Sequence, residues 1–525
     1  MANKELFQSA PRGEFTPEAD TKNAAGGKAY ERTPESALAQ YALTGCLGNT
    51  YYTSAKDQLD KTIQLANAVS PEFLAKTAIY AREKGFMKDM PALLMAILTK
   101  RDPVLVAKAF SRAIDNGKMI RNFVQIMRSG VAGRKSLGTG PKNQIIKWLL
   151  SANENQLLAG SVGNDPSLAD VVKMVHPKPP EDWQQAFFGW LIGKDYKPED
   201  LPPITKAFEA FKKDLTGEQP AVPFQMLTAL QLKDEHWTQI ARTANWHTTR
   251  MNLNTFQRHN VFKEEAMQQL VAERLKDPKA IKKAKVFPYQ LMMAYFATRA
   301  SDSGIPFIVS EALQDAMDIA IENVPVLPGR TAVLADVSGS MSSPVTGDRG
   351  SATSAVKCID VAGLISASVL HLNPQARILA FDTRVIDMNK ELNSRDTVMT
   401  NATKLASIRG GATACSHPII AMTQLKDSYD NIIMVSDNES WADAYNRGNG
   451  SPLMVAWNTY RHQVNPKAKL VLIDLTPHAN TQAVERPDIL NIGGFSDNVF
   501  TLLEQFFKGE MSGGHWVDVI NKVEL

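Results

Sequence analysis

Thr331-Ala332-Val333-Leu334-Ala335-Asp336-Val337-Ser338-Gly339-Ser340 decides the fold of the C-terminal part of this chain of 525 residues. Its first five residues are apolar or β-branched and read as a short buried strand. A D-x-S-x-S motif begins where that strand ends. Outward from it the pattern alternates. A helix is expected over Ser354 to Leu372, a strand over Arg377 to Phe381, and a helix near Pro418 to Leu425. Strands Asn431 to Val435 and Lys469 to Leu475 follow, then a terminal helix from about Asp497 to Phe507. Strands alternating with helices predict a doubly wound, Rossmann-like α/β domain with a parallel sheet over residues 326–525. The segment Asn323-Val324-Pro325-Val326-Leu327-Pro328-Gly329-Arg330 is a Pro/Gly linker into it.

Ligands of open α/β sheets bind beyond the carboxyl ends of the strands. Asp336, Ser338 and Ser340 place a carboxylate and two hydroxyls at such an end. Gly410-Gly411-Ala412-Thr413 adds a hydroxyl on a flexible loop, and Asp437 follows strand Asn431 to Val435. An all-oxygen donor set suits a hard divalent cation, Mg²⁺ or else Mn²⁺, with further positions left to water or an outside ligand. Two enzyme readings compete for these residues. A phosphotransferase with an aspartyl nucleophile wants a second carboxylate two residues on, where this chain has Ser338. A serine hydrolase wants a G-x-S-x-G elbow, which Ser338 lacks, although His371, His417 or His462 is available as a base.

Upstream, the period is helical. Ser70-Pro71-Glu72-Phe73-Leu74-Ala75-Lys76 is echoed by Asp102-Pro103-Val104-Leu105-Val106-Ala107-Lys108, 32 residues later. Each copy has a capping residue, then a Pro at the first helical position, then an apolar stretch. Second helices follow at Met90 to Lys100 and Met119 to Arg128. Helix pairs at this period predict stacked α-helical repeats. Helical patterns continue over Asn143 to Leu150, Glu181 to Ile192, Ile204 to Asp214, Phe262 to Leu275 and Pro288 to Thr298.

Hydrophobic residues make up 44% and charged residues 22%, which excludes a disordered or collagen-like chain. Cys46, Cys358 and Cys415 are too few and too scattered for a disulfide scaffold, so a reducing, cytoplasmic setting is expected. No apolar run reaches the ~18 residues of a membrane span. Residues 1–20 read as a flexible leader without a secretory core. The net charge of +3 is unevenly spread: residues 1–325 carry a surplus of six positive charges and residues 326–525 a deficit of three. Residues 101–150 hold ten Lys/Arg against only Asp102 and Asp115, and residues 251–300 hold nine against four acids. Such windows suit a polyanion or form a solvated helical face.

Several segments, in order, carry a resemblance. They are Gly48-Asn49-Thr50-Tyr51-Tyr52, Gly133-Arg134-Lys135, Leu168 to Val172 with His176-Pro177-Lys178-Pro179, Phe287-Pro288-Tyr289, Asp336-Val337-Ser338-Gly339-Ser340-Met341 and Ser436-Asp437-Asn438-Glu439. From about residue 20 to the C-terminus the chain resembles the Ro autoantigen (TROVE) family in its bacterial form. Its C-terminal part resembles a von Willebrand factor A domain with a metal-ion-dependent adhesion site. The resemblance implies a ring of HEAT-like helices over residues 21–325, closed by the A domain at 326–525. It implies small noncoding Y RNAs on an outer basic surface and single-stranded 3′ ends of defective RNAs in a central hole. It further implies no catalysis, and a role in RNA quality control or degradation with polynucleotide phosphorylase.

That resemblance gives the basic windows a role, since Lys and Arg contacts to phosphates supply most RNA affinity. Arg121, Arg128, Arg134, Lys135, Lys142 and Lys147 are candidates from the first window. His176 and Lys178 match a segment that contributes to RNA binding in the family. Arg250, Arg258 and His259 form a second cluster with His247. Trp246 and Phe256 nearby are either stacking platforms for bases or core residues. The alternative from another class is an intracellular scaffold whose A-domain metal site holds a protein partner.

Overall fold

A computed structural model describes residues 16–284, 286, 288–299, 303–322, 324–348, 356–443, 449–496, 498–511 and 515–525. Most of the expected leader, Asn323 of the linker, Phe287, the expected helix start at Ser354 and Asp497 lie outside them. The chain divides into two compact units. One joins the described residues up to Ala55 to Ile321–Asp518, and the other is Lys56–Ala320 with Val519–Leu525.

Among the described residues of the first unit, nine short strands make two sheets. The strands are β1 (Thr21–Lys22), β2 (Lys28–Glu31), β3 (Thr331–Asp336), β4 (Arg377–Phe381), β5 (Val385–Asp387), β6 (Asn431–Ser436), β7 (Lys469–Asp474), β8 (Asn480–Thr481) and β9 (Ile489–Gly493). The main sheet has the order β5-β4-β3-β6-β7-β9, parallel except for the edge strand β5. β3 and β6 are buried at every position, as central parallel strands covered on both faces must be. The helix Cys358–Leu372 explains its apolar run by burial from Cys358 through Leu370, interrupted only by Asp360. Its Ser366 and Ser368 hydroxyls are spent on the carbonyls of Ala362 and Leu364, one turn back. One flank of the sheet is filled by Phe381, Met434, Leu472, Trp457 and Tyr460, the last two stacked with ring centroids 5.7 Å apart. The chain leaves β3 for β4 on one side and returns to β6 on the other. The topological switch therefore falls between β3 and β6, where the D-x-S-x-S loop and Asp437 both emerge.

The expected boundary near residue 21 differs from the observed one. Tyr30 of β2 pairs with Thr481 of β8 and lies in the sheet's core, and the helix Pro34–Thr44 packs on β9. A strand of two to four residues leaves no period in the sequence, so its pairing with a segment far along the chain was not readable.

The second unit is a stack of helix hairpins. Pro71–Glu83 packs on Pro103–Ala113, which packs on Thr139–Ser151, which packs on Leu168–Val175. A second row runs Asp89–Arg101, Gly117–Ser129 and Glu154–Ser161. The two segments recognised as a repeat are thus equivalent first helices. Ser70 Oγ accepts from Phe73 N–H at 3.1 Å, and Asp102 Oδ1 accepts from Val104 and Leu105 N–H at 2.9 and 3.0 Å. Gly117–Ser129 is capped by Asn116 and stopped by Gly130 at φ +83°, where Gly carries no Cβ penalty. Its Met119, Ile120, Phe123, Val124 and Met127 form one buried stripe. Among the described residues no helix is long and apolar enough to cross a membrane, and the three cysteines are buried with no disulfide between them.

Candidate functional site

Asp336, Ser338, Ser340, Thr413 and Asp437 are all buried at the carboxyl ends of β3 and β6. Asp336 Oδ1 accepts from Ser338 N–H at 2.8 Å, which folds the D-x-S turn, and Oδ2 accepts from the Ser436 hydroxyl at 2.6 Å. The Ser338 and Ser340 hydroxyls are 3.3 Å apart, and the Ser340 side chain lies beside Asp437. The loop carrying Thr413 is tied in by Gly339 N–H donating to Gly411 O at 2.9 Å. A Cβ on Gly410 would collide with Val337 O, so only Gly allows this approach.

Burial pushes the Asp336 carboxyl well above its usual range, and the neighbouring Asp437 pushes it further. Burial also raises Asp437, against the hydrogen bond from Ser340. Among the described residues neither carboxylate is ion-paired with Lys or Arg. Two buried carboxylates without a Lys or Arg partner, facing three hydroxyls, make a donor set that fits a hard divalent cation. No described group of three or more His, Cys, Asp and Glu offers a softer alternative.

Around these residues lies a buried ionic network that motif reading missed. Arg32 Nη2 is 3.4 Å from Asp474 Oδ2, and Asn438 Nδ2 donates to the same oxygen at 3.3 Å. His478 Nδ1 is 2.9 Å from Glu439 Oε1, and Thr476 Oγ1 is 2.7 Å from its Nε2. Burial lowers the His478 pKa, but Glu439 outweighs it and brings the imidazole up to about 9. Asp382, after β4, also escaped notice. Its Oδ2 accepts from Gly411 N–H at 2.9 Å and its carbonyl from Ala414 N–H at 3.2 Å, so it holds the Gly410–Thr413 loop from behind.

In the helical unit the first basic window separates into two kinds of residue. Arg128, Lys135 and Lys142 line one pocket of about 440 Å³ with Ser136, Leu137, Gly138, Thr139 and Met174. This pocket opens at the start of the helix Thr139–Ser151, whose N-cap is Gly138 and makes no side-chain cap. Pro141 has no N–H, so Thr139 and Gly140 supply the N–H groups of the first turn. Arg134 braces the loop by donating from Nε to Ser136 O at 2.9 Å. Lys147 is exposed farther along that helix, and His176 and Lys178 are exposed just past Met174.

Arg121 is different. It is buried, and its guanidinium donates to the carbonyls of Val162, Asn164 and Pro166. Burial lowers its pKa, and it braces the turn before Leu168–Val175 without facing solvent. Arg250 is likewise buried, donates to Gln290 O at 2.9 Å and lies over the Trp246 ring, with burial lowering its pKa to about 10. Trp246 and Phe256 are core, and the Trp246 indole donates to Leu275 O at 2.9 Å. They are not available to stack on bases. Arg258 is exposed, whereas His259 stacks on Trp237 at 4.3 Å. A gathering of cations that lies, apart from Lys118, outside the two windows was also missed. The Lys88 ammonium is held below its usual range by desolvation and then by Lys118 and Arg82, and His247 by desolvation and then by Arg250 and Lys88.

Comparison with known proteins agrees with this architecture. Residues 330–507 match the family model of the Ro60 vWA domain. The chain is 24% identical to RNA-binding protein RO60 of Deinococcus radiodurans over 552 aligned positions, covering 95% of this chain and 98% of that one. It is 23% identical to RNA-binding protein RO60 of Caenorhabditis elegans over 262 positions, 46% of this chain and 37% of that one. The crystal structure of the Deinococcus radiodurans Ro protein aligns with a TM-score of 0.62 over 91% of this chain and all of that one, at 22% identity. With the helical repeats and the parallel sheet, residues 330–507 thus match the Ro60 vWA domain, and nearly the whole chain is similar to the Ro protein of Deinococcus radiodurans.

Proposed function

We propose that this protein binds RNA through its helical unit and catalyses no reaction of its own. The pocket lined by Arg128, Lys135 and Lys142 at an uncapped helix start carries the reading. Cations converging on free N–H groups make a place for phosphate oxygens. Arg134, Lys147, His176, Lys178 and Arg258 extend that positive surface, and the RNA-binding names of the relatives support it. We assign as ligands small noncoding Y-type RNAs and the single-stranded 3′ ends of misfolded or defective RNAs. The setting is cytoplasmic RNA quality control or degradation, with a 3′–5′ exoribonuclease such as polynucleotide phosphorylase as partner. In the A domain, Asp336, Ser338, Ser340, Thr413 and Asp437 would hold Mg²⁺ or Mn²⁺. The cation would supply a point of attachment for an acidic group.

The test is the nucleic acid that travels with the protein. Absorbance at 260 and 280 nm, read before and after ribonuclease treatment, is expected to reveal RNA. Protein that is free of RNA and takes none up from total cellular RNA would refute the reading.

A further inference from the structure

Asp336, Asp437, Glu439 and Asp474 are buried carboxylates at the carboxyl ends of the neighbouring strands β3, β6 and β7. Like charges out of water repel one another, and the loop after β6 carries two of these. Much of what holds that loop comes from the start of the chain, which belongs to the same unit. β1 and β2 pair antiparallel, and Asn23–Gly27 turns between them. Asn23 is buried. Its Nδ2 donates to Ser440 O at 2.7 Å, and its Oδ1 accepts from Gly27 N–H at 2.7 Å. Ala25 N–H donates to Glu439 Oε2 at 3.0 Å, and a Cβ on Gly27 would collide with Ser440 O. Trp441 and Ala442 N–H, next along the loop, donate to Thr413 O at 3.2 and 3.0 Å, so the same stretch also sets Thr413. The N-terminal segment has a second hold farther on, where Ala19 N–H donates to Asn449 O at 2.9 Å and Ser451 N–H donates to the Tyr30 hydroxyl at 3.1 Å.

We propose that the Asn23–Gly27 turn is a positioning element of the metal site, fixing the backbone of Glu439 and Ser440 and through it the place of Asp437. The inference rests on the metal reading above. Asp336 is fastened locally, by short bonds from Ser338 N–H and the Ser436 hydroxyl. Asp437 Oδ1 has a longer bond, from Glu439 N–H at 3.4 Å. Where Asp437 points therefore follows where Glu439 sits, and Asn23 and Ala25 decide that from 417 and 414 residues away in sequence. The chemistry of these donors suits the task. They are neutral amides, so they hold the loop without a positive charge that would compete with a cation. Arg32 and His478 sit on Asp474 and Glu439 and leave the charge of Asp437 to the metal.

The experiment uses full-length protein and Mn²⁺, with electron paramagnetic resonance counting the free ion, in wild type, Asn23→Ala, Gly27→Ala, Tyr30→Phe and Asp336→Ala. Asn23→Ala removes the donor to Ser440 O. Gly27→Ala keeps every hydrogen-bonding group and wedges a methyl against that carbonyl. Each should weaken Mn²⁺ binding about tenfold, the worth of one buried hydrogen bond. Tyr30→Phe loosens the same segment at Ser451, away from the ligands, and should lower Tm while keeping the wild-type Kd for Mn²⁺. Wild-type Kd in both Asn23→Ala and Gly27→Ala, with Mn²⁺ bound, would overturn the proposal and leave the metal reading intact. So would an equal loss of affinity in Tyr30→Phe, since the segment would then matter only as general support. Wild type that binds no Mn²⁺, or Asp336→Ala that binds as much, would overturn both readings. A second measurement needs no variant, because coupling between turn and metal is reciprocal. Saturating Mn²⁺ should slow hydrogen exchange at Ala25 and Gly27 in wild type about tenfold, matching the change in Kd. Exchange that does not change there, with Mn²⁺ bound, would overturn the proposal even if neither turn variant folded.

Discussion

Replacing Arg128, Lys135 and Lys142 together with Gln tests the phosphate reading most quantitatively, because all three line one pocket. Each phosphate contact on a single strand releases condensed counterions and adds about −0.7 to the slope of log K against log salt. Three lost contacts should flatten the slope by about 2. The two lines then meet near ~1 M salt and stand about two decades apart at ~0.1 M, a difference of roughly 3 kcal/mol. Arg128 and Lys135 are exposed and Lys142 is half-buried at the pocket wall, so fold and Tm should change little. The assay is fluorescence anisotropy of a labelled single-stranded RNA at five salt concentrations. A triple variant with the wild-type slope would refute the reasoning, since no counterions would then be released at this pocket.

Arg121→Gln should behave in the opposite way: the salt slope stays, but the carbonyls of Val162, Asn164 and Pro166 lose their donor and urea unfolding drops by about 2 kcal/mol. Mg²⁺ at a hundred times its Kd should stabilise the A domain by about 2.7 kcal/mol, or roughly 5–10 °C in Tm, and Asp336→Ala or Asp437→Ala should abolish that gain in calorimetry. Burial raises the Asp488 pKa, but hydrogen bonds from Arg486 and Trp457 and the charges of Arg486 and Arg461 outweigh it and hold the carboxyl below its usual range. A depressed carboxyl adds stability that is complete above its unfolded value near ~4 and is lost as pH falls through the folded value. Asp488→Asn should therefore cost about 3 kcal/mol at neutral pH and flatten the acid limb of stability against pH.

Strands β3, β4, β6 and β7 were legible to within a residue because each is an apolar burst between loops. β9 was not. Its middle residue Asn491 is buried, donating to Ala483 O and accepting from the Thr481 hydroxyl, and a polar residue there hides the strand. The antiparallel β5 has three residues, too few for a period. The candidate metal residues were readable because their spacing is local and each follows a strand. Asp382 acts on that site from another segment, and only the fold brings it there. Charge counting picked out the window from residue 101 to 150 but could not separate Arg128, which faces solvent, from Arg121, which is spent on carbonyls. Seven residues apart, the two share one face of Gly117–Ser129, and what separates them is the Val162–Pro166 turn that covers Arg121.

The central claim is that the basic helical unit takes RNA by its phosphates and unpaired strands. The direct measurement is a pair of titrations of the full-length protein, at one salt concentration, with a structured RNA that ends either in an unpaired 3′ tail or blunt. Backbone contacts to a flexible strand predict saturable binding in both, and tighter binding of the tailed RNA with little dependence on tail sequence. Equal affinities would leave only general surface attraction for the duplex, and no saturable binding of either RNA would contradict the account.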